Sequence, residues 1–95
     1  MQFTKHLRAP IKAGEITTSI RIWKSPRVKV GNRYRLEGGF VRIEKILPIT
    51  IEDITPKMAR ESGFAGIADL IKTAKHGEGR NVYFVQFRYE PGPTE

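Results

Sequence analysis

Two stretches of this chain read as strands: "TTSIRIW" at 17–23, which alternates strictly in side-chain character, and "NVYFVQFRY" at 81–89, which puts Tyr83, Val85, Phe87 and Tyr89 on one face. A two-residue period belongs to a β-strand, whose successive side chains point to opposite faces. Both runs are rich in β-branched and aromatic residues, the types that fit a pleated, half-buried surface. Between them the period changes. Ile67, Leu70, Ile71 and Ala74 recur at i, i+3, i+4 and i+7, one stripe of an amphipathic helix. Strands and helices must share one small core, because 95 residues make a single domain. That core must hold without disulfides. The chain contains no cysteine, which also removes thiolate metal sites and cysteine nucleophiles.

The elements follow from local chemistry. "QFT" at 2–4 reads as a short strand. "KHLRAPIKAG" at 5–14 reads as one or two helical turns, limited by Pro10 and stopped at Gly14. Residues 17–23 form the first full strand, and Pro26 and Gly31-Asn32 mark turns after it. Residues 34–37 are strand-like, Gly38-Gly39 is a hairpin turn, and 40–51 is a long β-rich stretch bent or split at Pro48. Thr55 and Pro56 open a helix that Gly63 closes. A second helix runs from Ile67 to a stop at Gly77, and 81–89 is the closing strand. Pro91, Gly92 and Pro93 cannot continue a ladder, so 1–90 is the expected domain and 91–95 a flexible tail. Several short strands with two or three short helices predict an α+β fold, a small, partly open, mixed β-barrel with helices plugging its ends.

The net charge of +7 is unevenly placed. Residues 1–45 carry eleven Lys and Arg against three Asp and Glu, a balance of +8; residues 46–95 carry six against seven, −1. A face that gathers these cations attracts nucleic acid or another polyanion. The first ten residues lack an apolar signal-peptide core, and no apolar run approaches the roughly 20 residues of a membrane helix. The expectation is therefore a cytoplasmic protein with no membrane partner, monomeric by default. His6 and His76 stand alone, and there is no Gly-Lys-Ser/Thr phosphate loop, so neither metal nor cofactor is expected.

The first strand carries the sharpest site signal. Thr18, Ile20 and Ile22 share a face that suits a core. The other face presents Thr17, Ser19, Arg21 and Trp23, too polar for a core, and predicts the floor of a ligand cleft. The Arg21 guanidinium offers five donors in a rigid fork, suited to phosphate or a base edge. Ser19 and Thr17 would add shorter hydrogen bonds. Trp23 reads either as a stacking surface at the cleft edge or as a core aromatic. Lys24, Arg27, Lys29, Arg33 and Arg35, interleaved with Pro26 and Tyr34, read either as one phosphate-tracking surface or as a solvated loop. Phe40, Phe64, Phe84 and Phe87 are assigned to the core.

The spacing Gly14-x-Ile16-x-x-Ser19-x-Arg21 resembles the N-terminal motif of ASCH domains, members of the PUA-like superfamily. In order, "IRIW", "KVGNRYRL", "ITPKMARESGFAGIADL" and "NVYFVQFRY" resemble the segments that follow in that family, so the likeness covers residues 2–89. It implies a PUA-like barrel with a cleft between barrel and helices, and RNA or a nucleotide-like ligand as partner. Members of the family are linked to RNA binding and to coactivator roles. Some small bacterial members hydrolyse acylated cytidine nucleosides, and ribonuclease activity has been proposed within the family. On that alternative, Ser19, at the family's threonine position, would be the nucleophile and Glu61 the proton carrier. The family's glutamate position falls on Ser62, beside Glu61. Its lysine position falls on Ile16, which has no ionisable group to activate a nucleophile. The expected function is thus RNA or nucleotide binding, with hydrolysis the alternative and protein interaction a third reading.

Overall fold

The computed structural model describes residues 3–74 and 80–92. Helix α1, Lys5–Lys12, holds to two turns despite Pro10. It ends where Gly14 adopts φ +79°. The Gly14 N–H donates to the Ile11 carbonyl at 3.0 Å and the Glu15 N–H to the Pro10 carbonyl at 2.9 Å, so the last carbonyls are satisfied as the chain turns. Then come β1 (Thr18–Trp23), β2 (Arg33–Leu36) and β3 (Gly39–Ile49), a 3-10 turn (Ile51–Asp53), α2 (Pro56–Glu61), α3 (Ile67–Ala74) and β4 (Asn81–Glu90). Helix α2 starts as its sequence predicts. Pro56 sits in the first turn, and Thr55 Oγ1 accepts the Met58 N–H at 3.1 Å.

The strands form one curled, half-barrel sheet in the order β1-β4-β3-β2. All its pairings are antiparallel, so among the described residues the expected mixed barrel is corrected to four antiparallel strands. Phe3 and Thr4 lie outside any strand, and Gln2 lies outside the described residues. Phe3 instead turns its ring into the core, 5.3 Å from that of Phe87. The β2–β3 hairpin turns at Glu37 and Gly38, both at positive φ (48° and 80°), one residue earlier than expected. Gly39 is then the first residue of β3, and a side chain there would meet the Tyr89 ring. Strand β3 runs unbroken through Pro48, which pairs with Tyr83. Pro48 is tolerated because β2 pairs only with Gly39–Arg42, leaving that flank of β3 an edge. The irregularity falls earlier, between Ile43 and Lys45, where Glu44 is an extra residue. Gly77 and His76, expected to close the second helix, lie outside the described residues, as does 93–95 of the tail; Pro91 and Gly92 have left the strand.

The core lies on both sides of the sheet. Inside the curl, Leu7 and Ile11 of α1 meet Trp23, Val41, Val85 and Phe87. On the outer side, α2 and α3 bring Ala59 and Leu70 onto Ile20, Ile22 and Val82. Strand β1 is consequently covered on both faces. Its Thr18 Oγ1 lies 3.1 Å from Ser62 Oγ at the end of α2. Among the described residues no helix is long and apolar enough to cross a membrane.

Two positions test this packing. Gly63 has φ +92°, and an added methyl would run into the side chains of Leu7 and Ile16. Gly63→Ala is expected to cost about 2 kcal/mol or more in chemical denaturation, and an unchanged midpoint would refute the packing. Ser62 is 1% exposed. Ser62→Ala should cost about 1–3 kcal/mol by orphaning the Thr18 hydroxyl, and Thr18→Val should do the same to Ser62. The double variant should cost clearly less than the two together; strict additivity would show that the hydroxyls do not interact.

Candidate functional site

Strand β1 is the edge of the sheet, paired only with β4. The Phe87 N–H donates to the Thr17 carbonyl at 2.9 Å, and the register sets Ser19 opposite Val85 and Arg21 opposite Tyr83. Antiparallel pairing alternates, so the odd positions direct their backbone groups to β4, and Thr18, Ile20 and Ile22 direct theirs to the open edge. Helix α1, Phe64 and the end of α3 close around this edge. They leave a cavity of about 170 Å³ whose walls include Phe3, Leu7, Ser19, Arg21, Phe64 and Thr73.

The polar wall is local in origin. Residues two apart on a strand share a face, so Arg21 and Ser19 are neighbours. Arg21 Nε donates to Ser19 Oγ at 2.8 Å. The guanidinium carbon lies 4.9 Å from the centre of the Phe3 ring, a cation–π contact. Burial lowers the Arg21 pKa from its ordinary value to about 10, because a desolvated cation is disfavoured. The group remains charged at neutral pH.

The other sequence-predicted residues separate. Thr17 is exposed and does not line the cavity. Trp23 is 3% exposed and packs against Tyr83 at 6.0 Å between ring centres. It is a core residue with no free face for a base, which corrects its reading as a stacking surface. Lys24, Arg27 and Lys29 are exposed in the loop 24–32, whereas Arg33 and Arg35 are exposed on β2, at the other edge of the sheet from β1. The five are thus divided between a loop and a strand, with the Lys29 N–H donating to the Tyr34 hydroxyl of β2 at 3.1 Å. Glu61 is exposed, pairs with Lys57 at 3.7 Å, and is absent from the cavity wall. Ile16 is buried beneath Gly63.

Phe3, Leu7 and Thr73 were not readable as site residues, because only the fold brings them to β1. Phe64, assigned to the core, is half-buried and shared between core and cavity. Phe40 is half-buried rather than core, with Arg33 over its ring at 4.8 Å. A second hollow, about 340 Å³, lies between the 3-10 turn and the start of β4, with Glu52, Arg80 and Tyr83 in its wall, and holds none of the predicted site residues.

Chemically, the β1 cavity offers a guanidinium fork and a hydroxyl against apolar and aromatic walls. Among its described lining residues there is no carboxylate or imidazole to take a proton from Ser19. Its donors suit an anion or a carbonyl oxygen. Comparison of the chain with protein-family models, with characterised proteins and with solved structures finds no match.

Proposed function

We propose that this protein is an ASCH-type, PUA-like domain that binds RNA or a nucleotide-like ligand, seating one base or nucleotide in the cavity beside β1. The observation that carries the reading is the Arg21–Ser19 pair, a part-buried guanidinium 2.8 Å from the serine hydroxyl and 4.9 Å from the centre of the Phe3 ring, in the wall of a half-open cavity. Engineered apolar cavities of about 150 Å³ accept benzene. A cavity of about 170 Å³ therefore has room for a six-membered ring. Phe3, Phe64 and Leu7 would flank that ring, and Arg21 would donate to a base carbonyl or a phosphate oxygen. Lys24, Arg27 and Lys29 follow β1 directly and are exposed, placed to attract the phosphates of a bound strand.

Binding has more support than hydrolysis. A serine nucleophile needs a base within hydrogen-bond reach, and Ser19 Oγ instead accepts from a guanidinium. Glu61, the expected proton carrier, is engaged by Lys57 and does not line the cavity. Ile16 contributes packing at the family's lysine position.

Calorimetric titration with nucleoside monophosphates tests the reading. Saturable binding is expected, with Arg21→Ala weakening it about tenfold to a hundredfold, the range for hydrogen bonds to a charged group. Circular dichroism confirms that the variant folds. Absence of binding, or equal affinity in a folded Arg21→Ala variant, would sink the proposal. The pH dependence has a definite sign. The guanidinium is charged below its pKa of about 10, so affinity should hold through neutral pH and fall as pH rises through that value. A bound anion would push the fall upward, since it favours the charged form.

A further inference from the structure

The face of the sheet opposite the cavity is only partly covered by helices. Helices α2 and α3 sit over Ile20, Ile22 and Val82. Past them, the same face of β2, β3 and β4 carries Arg33, Arg35, Phe40, Arg42, Arg88 and Glu90. The register places Arg33 opposite Arg42 and Arg42 opposite Arg88, an unbroken row of three arginines across three adjacent strands. The next row runs Arg35, Phe40, Glu90. Neighbouring strands are only about 4.8 Å apart, and like charges directly opposite one another destabilise a sheet.

One carboxylate serves the row. Glu90 lies 3.0 Å from Arg42, 3.9 Å from Arg33 and 4.0 Å from Arg88. Only the Arg42 contact is a hydrogen bond, to Oε2. Oε1 is buried, and the structure gives it no hydrogen-bond partner. The guanidiniums are therefore gathered around a centre that one carboxylate under-fills, and they stay open to solvent: the Arg33, Arg42 and Arg88 side chains are 52%, 38% and 63% exposed. A backbone phosphodiester carries its two charged oxygens tetrahedrally, so donors can reach them from more directions than the coplanar pair of a carboxylate, and Arg forks match its geometry. Beside the row lies Phe40, half-buried, with the Arg33 guanidinium over its ring at 4.8 Å. Guanidiniums framing an aromatic ring on an open sheet are the two components of a single-strand platform, charge for the backbone and a flat surface for a base. An acidic peptide would use the charges but would leave the ring without a role.

We propose that this face binds single-stranded nucleic acid, with Arg33 swinging off the Phe40 ring to hold a phosphate with Arg42 and Arg88, and a base stacking on the ring face it leaves. Glu90 occupies the phosphate position in the free protein and is displaced on binding. The proposal does not rest on the β1 cavity, because Ser19 and Arg21 lie on the opposite side of the sheet.

Fluorescence anisotropy of the full chain with a labelled oligouridylate of about ten nucleotides, over a range of salt, tests it. Each phosphate contact contributes about 0.7 to the slope of log affinity against log salt for single strands. R33A/R42A/R88A, which removes one phosphate contact, should flatten that slope by about 0.7 and weaken binding at low salt by more than tenfold. Glu90→Gln, which keeps the side-chain shape and removes the competing charge, should tighten binding several-fold. Lys57→Ala, a control cation on α2 that belongs to neither site, should leave the slope unchanged, and the folded triple variant should still bind mononucleotide in the β1 cavity, so the two sites report separately. A wild-type slope in the folded triple variant would overturn the proposal. So would a Glu90→Gln affinity no tighter than wild type, or polyglutamate competing as well as the oligonucleotide.

Discussion

Strand β4 is hydrogen-bonded on both flanks. Its residues 81–86 pair with β1, and its residues 82–90 pair with β3. Val85 and Phe87, 0% and 1% exposed, stand in the middle of that double ladder. Burying each contributes about 1.5–3 kcal/mol. Because β4 comes last in the described chain yet sits second in the sheet, β1 has no strand partner until it arrives. The chain between β3 and β4, which are neighbours in the sheet, does not return directly but passes over the outer side of β1 as α2 and α3, laying Ala59 and Leu70 over Ile20 and Ile22. The outer cover of β1 thus comes from the segment that immediately precedes its only strand partner. Such pairing at long sequence separation is slow to form.

The cavity follows from the same constraint. An edge strand with uncovered backbone groups invites pairing with other chains. Here the open edge of β1 is closed in by α1, Phe64 and the end of α3, which cannot hydrogen-bond along it as a strand would. The gap left between unlike elements is the cavity. Gly63 lets α2 end against Leu7 and Ile16, so its missing side chain sets how closely the helices approach. Placing a guanidinium at this margin is costly, as its lowered pKa records. The Ser19 hydroxyl and the Phe3 ring offset part of that cost with a hydrogen bond and a cation–π contact.

Local chemistry was legible and pairing was not. The Thr55 cap, Pro56, Gly14 and Gly63 act over a few residues and could be read directly. The alternation at 17–23 was also right about sides, with Ser19 and Arg21 opposite Ile20 and Ile22. It was misleading about burial, because polarity on one face was taken to exclude a core. Trp23 is buried there all the same, since that face of β1 runs from the cavity into the interior of the curl. The hairpin turn was misplaced by one residue because Glu37 adopts a positive φ that glycine takes more readily. Arg42 and Arg88 were passed over for a different reason. Each alternates correctly within its own segment, as Phe40-x-Arg42 and Gln86-x-Arg88-x-Glu90, but only the register brings them side by side.

The bulge at Glu44 changes which residues of the long β-rich stretch share a face. Without it, β3 would keep Phe40, Arg42, Glu44, Ile46 and Pro48 on one face. The extra residue shifts the parity, so Ile46 joins Val41 and Ile43 at the interior, while Leu47 and Ile49 pair with Phe84 and Val82 on the outer side. Strand β4 makes the matching change without a bulge, apolar at Val82 and Phe84, then polar at Gln86, Arg88 and Glu90. The outer face of the sheet is therefore divided at one line, apolar where helices cover it and cationic where they do not. Arginines under the helices would be buried without partners at a cost of several kcal/mol each. Apolar residues in the open half would expose a patch prone to association. A solvated surface would satisfy both limits with alternating charges or with neutral polar residues. Three arginines in one cross-strand row satisfy them less well, and a single glutamate leaves the row cationic, so the arrangement is better matched to an anion than to water.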